Sequence, residues 1–314
     1  MNLTRSKKKD LLYVAVAAFF FLTACVLQTV DDYISDWSVK KTIALLTQYI
    51  FFGLLAYWTA SVISRISDKS ICSGIIVAIA LMGVILFVRL LKYHVFYEET
   101  ATRYLWYSYY IPQCIAPVVL LLTILGMGRQ EGRPLSKGWY MLFLPAAMLI
   151  ILVFTNDLHE QVFSFAEGLE YSNKIYKWEW GYYLILSWMV GLYLSIGVLL
   201  YVKCRISWCR KKAWIPLVLF VTCFILCVLR EVFDPSFIRM PEAVVFSVVI
   251  VFESLIRIGF IPSNVNHEGL FYLADISASI ADKNLNVVLS SKNAPEITRE
   301  QATLAANGSK TELR

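Results

Sequence analysis

The sequence predicts an all-α integral membrane bundle of seven or eight transmembrane helices with a short cytoplasmic α/β fragment behind it. Three observations lead there. Of 314 residues, 58% are hydrophobic and only 17% charged, against roughly 25% charged in a soluble domain. The apolar residues gather into eight runs, most of them long enough to cross a bilayer at about 1.5 Å per residue. Basic residues occupy alternate connectors, as expected when Lys and Arg remain on the cytoplasmic side. The net charge of +6 is then a topology signal and a contact for anionic lipid, and it gives no case for nucleic acid.

The first run, Leu11–Val30, follows Arg5, Lys7, Lys8 and Lys9. Its Leu22-Thr23-Ala24-Cys25 also fits a lipoprotein cleavage box with Cys25 as the lipidated residue. A run long enough to span is expected to stay as an uncleaved helix. Thr42–Ser64 comes next, closed by Arg65 and Lys69, and then Ile71–Tyr93. The fourth run, Tyr104–Gly126, opens on Tyr104, Trp106, Tyr107, Tyr109 and Tyr110, rings that collect at the headgroup level. Pro112 and Pro117 sit inside it. Each lacks an N–H, so the carbonyls of Ser108 and Gln113 need other donors and the helix should kink. Arg129, Arg133 and Lys137 follow.

Gly138–Phe154 and Trp180–Val202 are the fifth and sixth runs, and the cluster Lys203, Arg205, Arg210, Lys211 and Lys212 ends the latter. Ser187, Gly191 and Ser195 recur at i+4 and predict a smooth face for helix contact, within the chain or in a homodimer. Trp214–Leu229 and Met240–Ile258 complete the set. Glu253 and Arg257 suit an i, i+4 pair near the last helix's cytoplasmic end, as helix stabiliser or signal relay. With the basic connectors inside, both termini are cytoplasmic.

The cysteines and histidines point to no cofactor. Seven cysteines fall mostly within apolar runs, and none pairs with another in an outer loop, so no disulfide framework is expected. His94, His159 and His267 lie far apart and make no metal spacing with them. Gly126, Gly128 and Gly132 follow a membrane helix rather than a strand, which excludes a phosphate loop.

A ligand pocket, if present, belongs on the outer side. Arg89 lies about 27 Å along its helix from Ile71, with Lys92 on the same face, and Arg230 and Glu231 reach that level from the seventh run. The longest connector, Thr155–Glu179, adds Asn156, Asp157 and His159, and Trp180, Tyr107 and Tyr110 supply aromatic walls. These residues are the candidate stimulus site, suited to a small anionic or lipid-like ligand. Each has a plainer role. Arg89 and Lys92 can snorkel to headgroups, Asp157 with Glu160 fits a capping box, and the tyrosines fit an interfacial belt. The candidate relay comprises Pro112, Pro117, Glu253, Arg257 and Pro262.

Beyond Ile258 the composition changes. The chain divides into a bundle (1–258), a juxtamembrane linker (259–276) and a tail (277–314). Ser277–Ser290 reads as two short strands about a Lys-Asn turn. Asn266–Ser279 can restart a helix, and Glu296–Arg314 is helical or disordered. The tail is expected to be a connector, or the opening of a further domain.

Four strings in order, VRLLKY (Val88–Tyr93), YLWYSYYIP (Tyr104–Pro112), TNDLHEQVF (Thr155–Phe163) and IGFIPSN (Ile258–Asn264), resemble the N-terminal seven-transmembrane region of bacterial sensor histidine kinases. The likeness covers roughly Thr42 to Ala294. It implies a multipass plasma-membrane receptor, usually a homodimer, that relays a stimulus to PAS-like and kinase modules. The tail strands would be a partial PAS-like link. His267 stands in no phosphoacceptor context and the chain has no Asn-box or ATP lid, so the kinase would act in trans or downstream. The resulting expectation is a non-catalytic sensory module. The alternatives are a small transporter or channel, and an intramembrane enzyme using Asp157 and His159.

Overall fold

The computed structural model describes residues 2–66, 68–96, 98–127, 135–165, 176–204, 210–233, 238–261, 263, 278–281 and 287–291. After α1 (Asn2–Tyr33), two aspartates set helix starts by taking up the free N–H groups of a first turn. Asp36 accepts from Ser38 and Val39 N at the head of α2 (Trp37–Arg65), and Asp68 from Ser70 and Ile71 N at the head of α3 (Lys69–His94). Then come α4 (Glu99–Ser108), α5 (Tyr110–Gly126), a 3-10 turn (Lys137–Leu142), α6 (Phe143–Phe154) and the single turn α7 (Asn156–His159). An antiparallel hairpin, β1 (Phe163–Phe165) with β2 (Tyr176–Trp178), leads to α8 (Trp180–Lys203). α9 (Trp214–Phe233) and α10 (Met240–Ile258) complete the bundle. Gly259, at φ 92°, ends α10 in the left-handed conformation that glycine adopts without penalty.

Among the described residues, six helical stretches are long and apolar enough to cross a membrane. They are α1 from Leu12, α2, α3, α4 with α5, the 3-10 turn with α6, and α8. The apolar window of α1 is only 17% buried and that of α8 only 22%, so Phe19, Leu22, Val198 and their like face outward. Water-soluble monomers do not expose apolar surface on that scale, and the chain is accordingly a multipass membrane protein. The last two predicted segments are helical as well. The apolar stretch of α9, Trp214–Leu229, is short, and α10 carries Glu242, Glu253 and Arg257, which need partners inside the bundle.

α3 and α5 form the centre. Gly74 permits their contact, since a Cβ there would overlap the side chain of Thr123. Phe21, Phe51 and Phe246 join α1, α2 and α10 with ring centroids 5.1 to 6.0 Å apart. Lys203 turns its Nζ onto the carbonyls of Ile124, Leu125 and Met127 at 2.7–2.9 Å, closing the C-terminal end of α5. Helix ends are tied at both rims. Arg239 reaches Asp32 at 2.7 Å at one, and Arg65 reaches Glu253 at 2.7 Å at the other.

Local expectations change in three places. The Pro112 kink is a break at Tyr109 between two helices, and Pro112 falls in the first turn of α5, where its missing N–H leaves no intrahelical bond unmade. Pro117 alone stands inside a helix. The Asp157–Glu160 capping box does not form. Thr155 precedes α7, Asp157 lies within it, and Glu160 ends it at φ 50°. The stripe Ser187, Gly191 and Ser195 faces outward, away from the chain's own helices, and nothing stands within 4 Å of a Cβ at Gly191.

In the tail, the expected strand pair is present as β3 (Ser279–Ala281) and β4 (Val287–Ser290), antiparallel with a bulge between Ile280 and Ala281. The restarted helix expected over Asn266–Ser279 does not reach its last residue, since Ser279 opens β3, and the rest of it up to 277, the Lys-Asn turn, the stretch 296–314 and Pro262 lie outside the described residues.

Candidate functional site

Arg89 sits five residues before the end of α3, and its side chain turns into the bundle. It forms an ion pair with Glu242 of α10, whose side chain is wholly buried. Its Nη1 also donates to Gln48 Oε1 of α2 at 3.1 Å, while Gln48 Nε2 donates to the Leu86 carbonyl at 3.0 Å. The snorkelling role is therefore corrected for Arg89. A buried carboxylate holds it more strongly than the headgroup region could, because opposite charges attract more in a low dielectric. Gln28 of α1 belongs to the same level. Phe21 meets Phe246 and Asp32 meets Arg239, and Gln28 lies between Phe21 and Asp32 on one helical face, opposite the Glu242 turn. Gln28 is 4% exposed, and neither atom of its amide has a hydrogen-bond partner among the described residues.

Beside this centre lies a cavity of about 990 Å³. Arg89 and Lys92 line it from α3, Tyr109 and Tyr110 from the α4–α5 break, and Trp178 from the hairpin. Lys92 is 5% exposed, with Nζ 5.2 Å from the Tyr93 ring centroid, so it too faces the interior rather than the headgroups. The cavity continues between α8 and the α9–α10 pair, reaching Tyr193, Phe220 and Phe252. It is deep, extending about 18 Å along α10 from Met240 at 1.5 Å per residue.

The remaining predicted pocket residues gather elsewhere, in a knot under the hairpin. Asn156, wholly buried, accepts from Val162 N and Phe163 N at 2.9 and 3.0 Å and donates to the Phe163 carbonyl at 2.9 Å. Tyr107, also wholly buried, donates to Asp157 at 2.7 Å, and Arg103 pairs with the other carboxylate oxygen at 3.3 Å. His159 Nδ1 accepts from Gln161 N at 3.0 Å, and Nε2 stands 3.2 Å from Thr155 Oγ1. With its atoms spent on the backbone turn, this group holds the hairpin and does not face the cavity. Trp180 heads α8, half exposed and outside the lining, where Trp178 and Tyr182 stand instead. The side chains of Arg230 and Glu231 lie outside the described residues.

At the opposite rim the expected Glu253–Arg257 pair is present at 2.6 Å, and it belongs to something larger. Arg65 of α2 grips Glu253 with both Nη atoms at 2.7 and 2.8 Å, and Trp58 Nε1 donates to it at 3.0 Å. The bidentate fork is the strong form of such a pair.

Sequence reasoning missed Glu242, Gln48, Gln28, Arg103 and Trp58 as site members. Glu242 had a signal: an acid early in an apolar helix, at the depth computed for Arg89. The others were ordinary helix residues until the helices were placed side by side. Among the described residues, no three His, Cys, Asp or Glu side chains stand close enough to hold a metal ion. No family model, curated protein or solved structure matches this chain, and the site's role rests on its geometry.

Proposed function

We propose that the protein is a non-catalytic membrane sensor in which a stimulus at the Arg89 rim changes the seating of α10, and α10 passes the change to the tail. One observation supports this above the rest. A single helix carries one carboxylate beside the cavity, Glu242, and one in the clamp at the far rim, Glu253, and the linker that leads to the tail begins directly after it. A ligand moves such an equilibrium only by binding the two seatings unequally. A buried Arg–Glu pair at the cavity wall provides the means, because its strength depends on what fills the space next to it.

In this reading seven or eight helices span a bacterial plasma membrane, the cavity faces outward and both termini are cytoplasmic. The tail strands form a PAS-like connector, and the partner is a kinase module, downstream or in trans, driven by a homodimer. The sequence resemblance supports the kinase assignment, and the basic connectors support the orientation. The test uses the full chain in lipid nanodiscs, with nitroxide labels on cysteines placed at Ser64 and Ser263. Glu242→Gln should shift the distance distribution between them. An unchanged distribution, with the fold intact, would remove the coupling.

A transporter is the second reading, favoured by a cavity that reaches more than half way through a hydrocarbon core of about 30 Å. Solute flux through liposomes containing the protein would establish it in place of the sensor.

A further inference from the structure

Below its mouth the cavity is an apolar shaft between α8 and the α9–α10 pair. The carboxylates and the histidine of its described lining, Asp31, Asp32 and His94, all stand at the mouth. What the shaft offers instead is sulfur. α8 and α9 meet at its floor through Tyr193 and Phe220, ring centroids 6.3 Å apart. One turn nearer the mouth come Met189 on α8 and Cys223 on α9, and a turn beyond that comes Cys227, all in the lining. Both cysteines are in the thiol form, Cys223 buried and Cys227 part-buried. Cys227 Sγ stands 3.8 Å from Ser247 Oγ of α10. Ser247 is seven residues along α10 from Met240, which puts this level about 10 Å inside the mouth.

Cysteines four apart share one face of a helix, the spacing by which two helical histidines hold a zinc ion. A thioether on the facing helix supplies a third donor, and a set of two cysteines and a methionine is soft throughout. The walls about it, Val248, Val251 and Phe252 of α10 with Phe224 of α9, bring no carboxylate or imidazole that a harder ion would need. We infer that Cys223, Cys227 and Met189 bind one soft monovalent metal ion, of the class of Cu(I). On binding, one thiol gives its proton to water at the mouth and its sulfur bonds to the metal. The second thiol and the thioether coordinate as neutral donors. The charge of the ion and that of the thiolate then cancel, as an apolar site requires. Zn(II) would leave a net charge there and lack a fourth ligand. The site lies below the Arg89 rim and does not depend on the sensor reading.

The experiment uses the full chain in nanodiscs under anaerobic conditions. The probes are Ag(I), which is inert to redox change, and Cu(I) buffered by bicinchoninate. N-ethylmaleimide then labels the thiols that the metal leaves exposed, and peptide mass spectrometry reads each cysteine separately. One equivalent of Ag(I) should protect Cys223 and Cys227 together, and excess Zn(II) should not. Cys223→Ser should abolish the protection of Cys227. Met189→Leu keeps both thiols and nearly the same volume, and should raise the Cu(I) concentration that protects the pair about tenfold, the loss of one ligand. Protection of Cys227 that survives in a folded Cys223→Ser protein would overturn the site, as would unchanged protection in Met189→Leu. Equal protection by Zn(II) would overturn its softness. Thiols that resist the label before any metal is added would also overturn it, since the shaft would then be closed to solutes.

Discussion

The two ends of α10 are both fastened by an arginine from another helix, yet they are built differently. At the cavity end Glu242 is wholly buried and meets Arg89, which among the described residues also donates a hydrogen bond to one glutamine. At the far end Glu253 is 22% exposed and takes donors from Arg65, Trp58 and Arg257. A buried carboxylate with one cationic partner has everything at stake in that partner, because its desolvation is offset nowhere else. A carboxylate with three donors at a wetter site loses one and keeps the rest. On the proposed sensor reading, the contrast makes the cavity end the sensitive one and the clamp the anchor against which movement would be registered.

The contrast can be broken at four strengths. Glu242→Ala strands Arg89 in the interior and should cost about 3–5 kcal/mol of stability, read by thermal unfolding in nanodiscs. The double change Arg89→Met with Glu242→Leu should recover most of that loss, and failure to recover it would show that the pair is not what the interior misses. Glu253→Ala removes several charge-assisted bonds at a part-exposed site and should cost about 2 kcal/mol. A cost equal to that of Glu242→Ala would erase the distinction between the ends. Trp58→Phe deletes one donor while keeping an aromatic ring, for about 1 kcal/mol, with the clearer effect in faster amide exchange at the end of α10. Asp32→Asn is the mildest. The Asp32 and Arg239 side chains are a third exposed, and such pairs are worth roughly 0.2–1 kcal/mol, so the melting temperature should barely move.

The cavity can be separated from the knot beneath the hairpin in the same way. In sequence the two are not distinct, since Asn156, Asp157, His159 and Tyr107 share a sequence neighbourhood or an aromatic cluster with cavity residues. Sequence proximity cannot say which way a side chain turns. Tyr107 and Tyr110 are three residues apart across a helix break, and one is spent on Asp157 while the other lines the cavity. The Asp157–Glu160 spacing matched a capping box, but the helix there is one turn long, and Asp157 found a buried tyrosine hydroxyl and an arginine instead. Tertiary partners outbid a local motif whenever they offer a charged or buried bond in place of an exposed one.

By itself the sequence determined the solvent and the order of the helices. Apolar runs of spanning length can be satisfied by lipid, and the charges between them must stay at the rims, so composition and spacing suffice to predict a membrane bundle. It also placed Arg89 and Lys92 together near one end of α3, because position along a helix is only a count of residues. Azimuth is not a count. Which face of α3 looks at α10, that Gln48 stands between them, and that α8 parts from α9 far enough to leave a shaft were decided only when the helices packed, since each depends on the volumes of side chains brought together from distant parts of the chain.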